Sequence, residues 1–208
     1  ISAETLDELS RDENPFVRVR VAAHMNTSSE TLVKLSKDET PLVKQFVAEH
    51  LNTPADILVE LNKDSDMSSW VAGNPNTPVE LLNKFSKYEH ENVRSSVAVN
   101  PSTPPATLSI LCCDENEDVR AAVAKNVKTP VAVLNKLSKD EDEFVRISIS
   151  VNPNISAGIL NKLSKDENEN VRAAVAKNLN TPVTILDKLN KDENELVREV
   201  AAQNPNKP

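Results

Sequence analysis

The sequence predicts an all-α solenoid of eight two-helix repeats, and three observations carry that prediction. A V-R-x-x-V-A echo returns at a nearly fixed interval along the whole chain, which marks a repeat architecture. Proline recurs at fixed phase within the repeat, 13 in all, where it punctuates short helices. Only 2 Gly are present among 208 residues, too few for the positive-φ turns of a hairpin-rich β fold. Taking the basic residue of the echo as marker gives Arg18, Lys44, Ser68, Arg94, Arg120, Arg146, Arg172 and Arg198. Every step is 26 residues except the 24 between Lys44 and Ser68. The repeats therefore run 1–26, 27–52, 53–76, 77–102, 103–128, 129–154, 155–180 and 181–206, one repeat domain spanning 1–208. Lys207 and Pro208 fall where a ninth repeat would open, so the array is expected to be cut or to decay there. Ile1 to Ser10 lack a signal-peptide pattern and no Met precedes them, which reads as a processed or cut start.

Within each repeat the first helix is placed by Thr-Pro, at Thr53-Pro54, Thr77-Pro78, Thr103-Pro104, Thr129-Pro130 and Thr181-Pro182, read as an N-cap followed by Pro at the first helical position. Thr27 with Glu30, Thr53 with Asp56 and Thr77 with Glu80 add a capping-box spacing. Ile185, Leu186 and Leu189 exemplify its narrow apolar stripe. The second helix opens near Asn14-Pro15 or Thr40-Pro41, and elsewhere at Glu91, Glu117, Glu143, Glu169 and Glu195, acids suited to the positive end of the helix dipole. It closes at Asn74, Asn100, Asn152 and Asn204, each followed by Pro, where Asn is expected to take a left-handed cap. Helices of nine or ten residues are too short to be stable alone, so stacking must stabilise them. Val171, Val175 and Ala176 show the inward stripe of the second helix, whose Ala position (Ala22, Ala48, Ala72, Ala98, Ala124, Ala176, Ala202) lets neighbours approach closely. Repeat 3 is two residues short and carries Ser68, Trp70 and Gly73, which predicts an irregular turn there.

Composition excludes several function classes. There is no G-x-G-x-x-G and no P-loop, so a nucleotide-binding α/β enzyme is not expected. No apolar run approaches the length of a membrane span. The net charge of −8 opposes nucleic-acid binding, which rests on phosphate neutralisation. Cys112 and Cys113 are adjacent, with no zinc spacing and no disulfide framework around them. The expectation is a soluble, cytoplasmic, monomeric protein with no cofactor and no metal.

The pattern T-P-x-x-x-L-x-x-L-S-K-D-E-x-x-x-V-R-x-x-V-A-x-N resembles the leucine-rich repeat variant family over nearly the whole chain. The segment Asp166 to Arg172, with Asp six residues before Arg, also resembles the second half of a HEAT repeat, where that pair forms a ladder between adjacent repeats. The resemblance implies a right-handed superhelix of alternating short helices, one of which can be 3₁₀, with the second helices lining the concave face. Some leucine-rich repeat variants carry a separate cysteine cluster for iron and sulfur. This chain has none, so that role is not carried over.

The recurring residues read as structure. The Asp/Arg pairs, Asp12/Arg18, Asp114/Arg120, Asp140/Arg146, Asp166/Arg172 and Asp192/Arg198, are expected to form a ladder rather than an anion site. The Asn row, with His24 and His50 in its place in repeats 1 and 2, reads as a turn device, and Lys34, Lys84, Lys136, Lys162 and Lys188 as a solvated outer row. Cys112-Cys113 reads as an incidental pair, because its sequence neighbour Asp114 is neither base nor cation. No catalytic constellation stands out. What varies is the second-helix face opposite its Val/Ala stripe: Phe16, Val19, Arg20 and Ala23 in repeat 1, Leu42, Gln45, Phe46 and Glu49 in repeat 2, Asp66, Ser69, Trp70 and Gly73 in repeat 3, and Phe144, Ile147, Ser148 and Val151 in repeat 6. Four of the six aromatic residues lie there, although the core of a solenoid needs none of them. The candidate binding residues are Phe16, Leu42, Phe46 and Trp70 in one patch and Phe144, Ile147 and Val151 in another. The expected function is a non-catalytic scaffold for a protein or peptide partner. The alternatives are a HEAT-like nucleic-acid-processing enzyme domain and a structural spacer in a larger protein.

Overall fold

The computed structural model describes residues 1–206. Lys207 and Pro208, read above as the opening of a further repeat, lie outside the described residues. The chain divides into two compact units, and the division after Thr103 falls one residue into the fifth repeat. The N-terminal unit holds α1 (Ala3–Leu9), α2 (Pro15–Ala22), α3 (Ser29–Leu35), α4 (Pro41–Glu49), α5 (Ala55–Leu61), α6 (Ser68–Gly73), α7 (Val79–Phe85) and α8 (Glu91–Val99). The C-terminal unit holds α9 (Pro105–Leu111), α10 (Glu117–Lys125), α11 (Val131–Leu137), α12 (Glu143–Ser150), α13 (Ala157–Leu163), α14 (Glu169–Lys177), α15 (Val183–Leu189) and α16 (Glu195–Gln203). No strand occurs among the described residues. In each unit the second helix of a repeat packs on the second helix of the next and on its own first helix. Both helices of a repeat are α-helical. The one 3₁₀ turn among the described residues, Ser65–Met67, leads into α6 where repeat 3 is two residues short, which is the irregularity expected there.

The helices are shorter than nine or ten residues in most cases, and the first ones start a residue later than expected. Pro54, Pro78, Pro104, Pro130 and Pro182 are themselves the N-caps, in extended conformation, and the helix begins at the next residue. The preceding Thr is not a cap. Its side chain is buried and its hydroxyl donates to the carbonyl six residues back, in the last turn of the second helix: Thr27 to Val21 at 2.6 Å, Thr53 to Val47 at 2.5 Å, Thr103 to Val97 at 2.6 Å and Thr181 to Val175 at 2.6 Å. Helix ends leave carbonyls without intrahelical partners, and a buried Thr hydroxyl satisfies one of them. The capping-box reading fails for the same reason, and in repeat 2 the cap is Ser28, which accepts from the Thr31 amide at 3.2 Å.

The Asn row also differs from its expectation. No described residue, glycine included, has positive φ, and Asn74 is extended at φ −73° and ψ 129°. Its amide bonds two repeats together instead. Asn74 Nδ2 donates to the carbonyls of Ala48 and His50, at 2.6 and 3.0 Å, while its Oδ1 accepts from the Asn76 amide at 2.9 Å. Asn152 does the same toward Ala124 and Asn126, and Asn204 toward Ala176 and Asn178. His50 fits the same slot, since its Nε2 donates to His24 O at 3.0 Å and its Nδ1 accepts from the Asn52 amide at 3.0 Å.

The Arg ladder is real, but its carboxylate partner lies in the next repeat. Arg146 donates from Nε and Nη2 to both oxygens of Asp166, at 2.8 and 3.0 Å, and from Nη1 to the backbone carbonyls of Asp140 and Glu141. Arg18 with Asp38, Arg120 with Asp140 and Arg172 with Asp192 repeat this two-pronged geometry, which guanidinium and carboxylate match closely. The apolar stripes are buried as expected, with Val171, Val175, Ala176 and Leu186 fully enclosed. Each such Leu contributes about 2 kcal/mol by leaving water. Ala202 is the exception in its row and is exposed, while Ala201, which stands at the Val175 position, is buried.

Candidate functional site

The second-helix face divides into residues that pack and residues that do not. In the N-terminal unit, Phe16 sits one residue inside α2, held there by the Asn14 side chain, which accepts from the Phe16 amide at 2.9 Å. Its ring is 73% exposed. Leu42 takes the equivalent place on α4 and is exposed, and Phe46, one turn further on, is half-buried. Trp70 occupies the Phe46 position on α6 and is 41% exposed. Val19, counted on this face from the sequence, is buried instead.

A shallow apolar cleft of about 410 Å³ opens beside Phe46, lined also by Ala23, Met25, Glu49 and Leu51. Met25 and Leu51 follow the turn-bonding His24 and His50 and stand well exposed. The sequence reading passed over them because they belong to the turn and not to the helix face. Between repeats 3 and 4 a second cavity, of about 570 Å³, lies among Ser65, Asp66, Ser69, Tyr88 and His90. It coincides with a change in the ladder: Ser68 stands where Arg would, and Tyr88 stands where the next repeat would supply Asp. The Tyr88 ring packs edge-on against Phe85, with centroids 5.7 Å apart.

In the C-terminal unit, Phe144 is 65% exposed at the start of α12, and Val151, at its end, is exposed too. Ile147 is half-buried between them, and Ser148 is buried rather than on the open face. Leu196 holds the Phe144 position on α16 and is exposed, an apolar member of the column that sequence reasoning missed. Glu141, Glu143, Glu167 and Glu169 surround Phe144 in an open, polar cleft.

The lysine row is less solvated than expected. Lys34 reaches back to Asp7 at 2.5 Å, and Lys162 to the Ser138 carbonyl and hydroxyl at 3.1 and 3.0 Å. Lys136 lies with its Nζ 2.7 Å from Cys113 Sγ. That contact holds the Cys113 thiol below its ordinary range, whereas burial pushes Cys112 up. The cation beside this thiol comes from 23 residues downstream, so the local sequence around Asp114 could not reveal it.

Among the described residues, no group of three or more His, Cys, Asp or Glu side chains is placed to hold a metal ion. No helix is long and apolar enough to cross a membrane. Every fully buried side-chain nitrogen or oxygen among the described residues has a hydrogen-bond partner.

No family model matches the chain, and no curated protein matches it. Among solved structures, a leucine-rich repeat variant described as having a novel repetitive structural motif is 23% identical, covers 97% of this chain and 81% of its own, and superposes with a TM-score of 0.61. An archaeal HEAT-like repeat protein from Thermococcus onnurineus NA1 is 15% identical, covering 98% of this chain and 95% of its own, with a TM-score of 0.39. A designed armadillo repeat protein in complex with the peptide (KR)4 is 15% identical, covers 97% of each chain and has a TM-score of 0.31. These last two are too distant in shape to bear on this chain. The resemblance read from the repeat pattern is thus matched in three dimensions, and the chain shares the two-helix repeat fold of a leucine-rich repeat variant.

Proposed function

We propose that the chain is a non-catalytic scaffold that binds a protein or peptide through the variable face of its second helices. The observation that carries this reading is the exposure of Phe16, Leu42 and Trp70 on the second helices of the N-terminal unit, and of Phe144 and Val151 on those of the C-terminal unit, while the positions that close and stack the repeats are buried and satisfied. Exposed aromatic and aliphatic side chains gathered on one surface mark interaction sites. Phe46 and Ile147, half-buried beside them, form the floor of the two patches. A nucleic-acid-processing role fits less well, because four ladder arginines already hold carboxylates and the net charge is −8. Monomeric action in the cytoplasm, without cofactor, is part of the same proposal.

The test is selection of a random peptide display library on the immobilised chain, with each enriched peptide rebound to a folded F16A/F46A/W70A/F144A variant. Peptides binding the parent with a Kd on the order of micromolar, and the variant at least tenfold more weakly, are expected. Peptides that bind both forms equally would place recognition elsewhere. A selection that enriches nothing would favour a structural spacer.

A further inference from the structure

Cys112 and Cys113 stand at the end of α9, in positions that most other repeats fill with Ser and Lys. Cys112 keeps the job of the Ser. In repeats 1, 2, 4, 6 and 7 that hydroxyl donates to the carbonyl three residues back, as Ser138 does to Asn135 at 2.8 Å, and Cys112 Sγ donates likewise to Ser109 O at 3.2 Å. Cys113 has no such duty. Its side chain is exposed, on a turn where the equivalent residues are Arg11, Lys37, Lys63, Lys87, Lys139, Lys165 and Lys191.

What makes the position unusual is the repeat geometry above it. The lysine of the following first helix leans back onto the end of the preceding one, as Lys162 does onto Ser138. In α11 the same reach brings Lys136 Nζ to 2.7 Å from Cys113 Sγ. The ammonium is therefore delivered to the thiol by the stacking itself, from a side chain that is exposed and otherwise solvated. The exposure of Cys113 gives a small reagent access to it, and a cleft of about 500 Å³ lined by Cys112, Asn135, Lys136, Lys139 and Asp140 opens beside Lys136. Asp114 follows Cys113 in sequence, and Lys139 and Asp140 are the other charged residues of the cleft beside Cys112.

We propose that Cys113 is an oxidant-reactive modification site, a thiolate paired with the Lys136 ammonium that is oxidised by hydrogen peroxide to a sulfenic acid. The thiolate sulfur attacks one peroxide oxygen, forming the S–O bond as the O–O bond breaks. The departing hydroxide takes a proton from Lys136 and leaves as water, and solvent reprotonates the amine. Sulfur loses two electrons and the peroxide gains them. The lowered pKa of Cys113, caused first by its hydrogen bond from Lys136, favours the thiolate that this chemistry needs. Cys112 is a poor resolving partner, although its Sγ lies 3.7 Å away. Adjacent Cα atoms are about 3.8 Å apart, closer than an unstrained disulfide spans. The product is accordingly a sulfenic acid open to a small-molecule thiol.

The experiment treats the full chain at pH 7 with hydrogen peroxide and dimedone, follows the adduct by peptide mass spectrometry, and compares C113S, C112S and K136M, each checked by circular dichroism. The adduct is expected on Cys113 alone, to persist in C112S and to vanish in C113S. An ordinary thiol is only a few per cent thiolate at neutral pH, so losing Lys136 should slow labelling about tenfold. Labelling of Cys113 at the same rate in K136M, or a Cys112–Cys113 disulfide formed in place of the adduct, would overturn the proposal. Because Lys136 is exposed, K136M removes the cation without opening the core.

Discussion

The two units build the same repeat with different tolerances. In the C-terminal unit each junction between repeats carries a full Arg–carboxylate rung, Arg120 to Asp140, Arg146 to Asp166 and Arg172 to Asp192. In the N-terminal unit Arg18 to Asp38 is complete, whereas Lys44 replaces the next Arg, and Ser68 with Tyr88 replace both members of the third rung. The turn-bonding row persists through both units. His50, Asn74, Asn152 and Asn204 each donate to a carbonyl of the preceding repeat. The comparison teaches that closure of buried carbonyls at the turns is what every repeat needs, whereas the ionic rung can be exchanged. The exchange coincides with three aromatic residues on the N-terminal unit's variable face, Phe16, Phe46 and Trp70, against one, Phe144, in the C-terminal unit.

The largest effect should come from the ionic rungs that remain. Arg146→Ala strips both oxygens of Asp166, a side chain only 10% exposed, and should cost about 3 kcal/mol in chemical denaturation. Lys44→Ala should stay within about 0.5 kcal/mol of the parent, because the Lys44 side chain makes no hydrogen bond among the described residues, its amide alone donating to Thr40 O within the helix. Equal losses at the two positions would erase the distinction between the units.

Acid provides a second contrast. Arg172 holds the Asp192 carboxyl below its ordinary range, so on acidification the unfolded chain takes up this proton before the folded one. The stabilisation is complete above the unfolded pKa of about 3.9 and is lost as pH falls through the lower folded value. Asp192→Asn should therefore flatten the dependence of stability on pH in that acid range, read from urea midpoints. A smaller gain should follow from repairing a rung. Lys44→Arg, reaching toward Asp64, should add about 0.5 kcal/mol, and a loss of stability would show that the N-terminal unit has settled around the shorter donor.

Much of this was legible in the sequence. The period, the two-helix repeat, the Val/Ala stripe and the irregularity of repeat 3 follow from spacing along the chain, because repetition multiplies weak local signals. Phe16, Leu42, Trp70, Phe144 and Val151 were placed on an open face by helical phase alone. A ladder between adjacent repeats was implied by the HEAT resemblance, but which residues meet across each junction was not legible. Arg146 is six residues from Asp140 in sequence yet salt-bridges Asp166, 20 residues on, and Asn152 bonds a carbonyl 28 residues back. Thr53 resembled a cap because Thr before Pro suits one, and only the packed turn directs its hydroxyl back to Val47. Lys136 and Cys113 meet by the same stacking, which no local reading of Cys112-Cys113-Asp114 contains.

The central claim is that the positions joining repeats carry stability and the variable second-helix face does not. One equilibrium urea experiment tests it, comparing the triple variant F16A/L42A/F144A with the single variant Asn74→Ala. Asn74 is buried, and its loss leaves the carbonyls of Ala48 and His50 and the Asn76 amide without their partner, which should cost about 3 kcal/mol. The triple variant should lose no more than about 1 kcal/mol, since all three side chains are exposed. A triple variant that unfolds before Asn74→Ala would contradict the account and make these residues part of the packing.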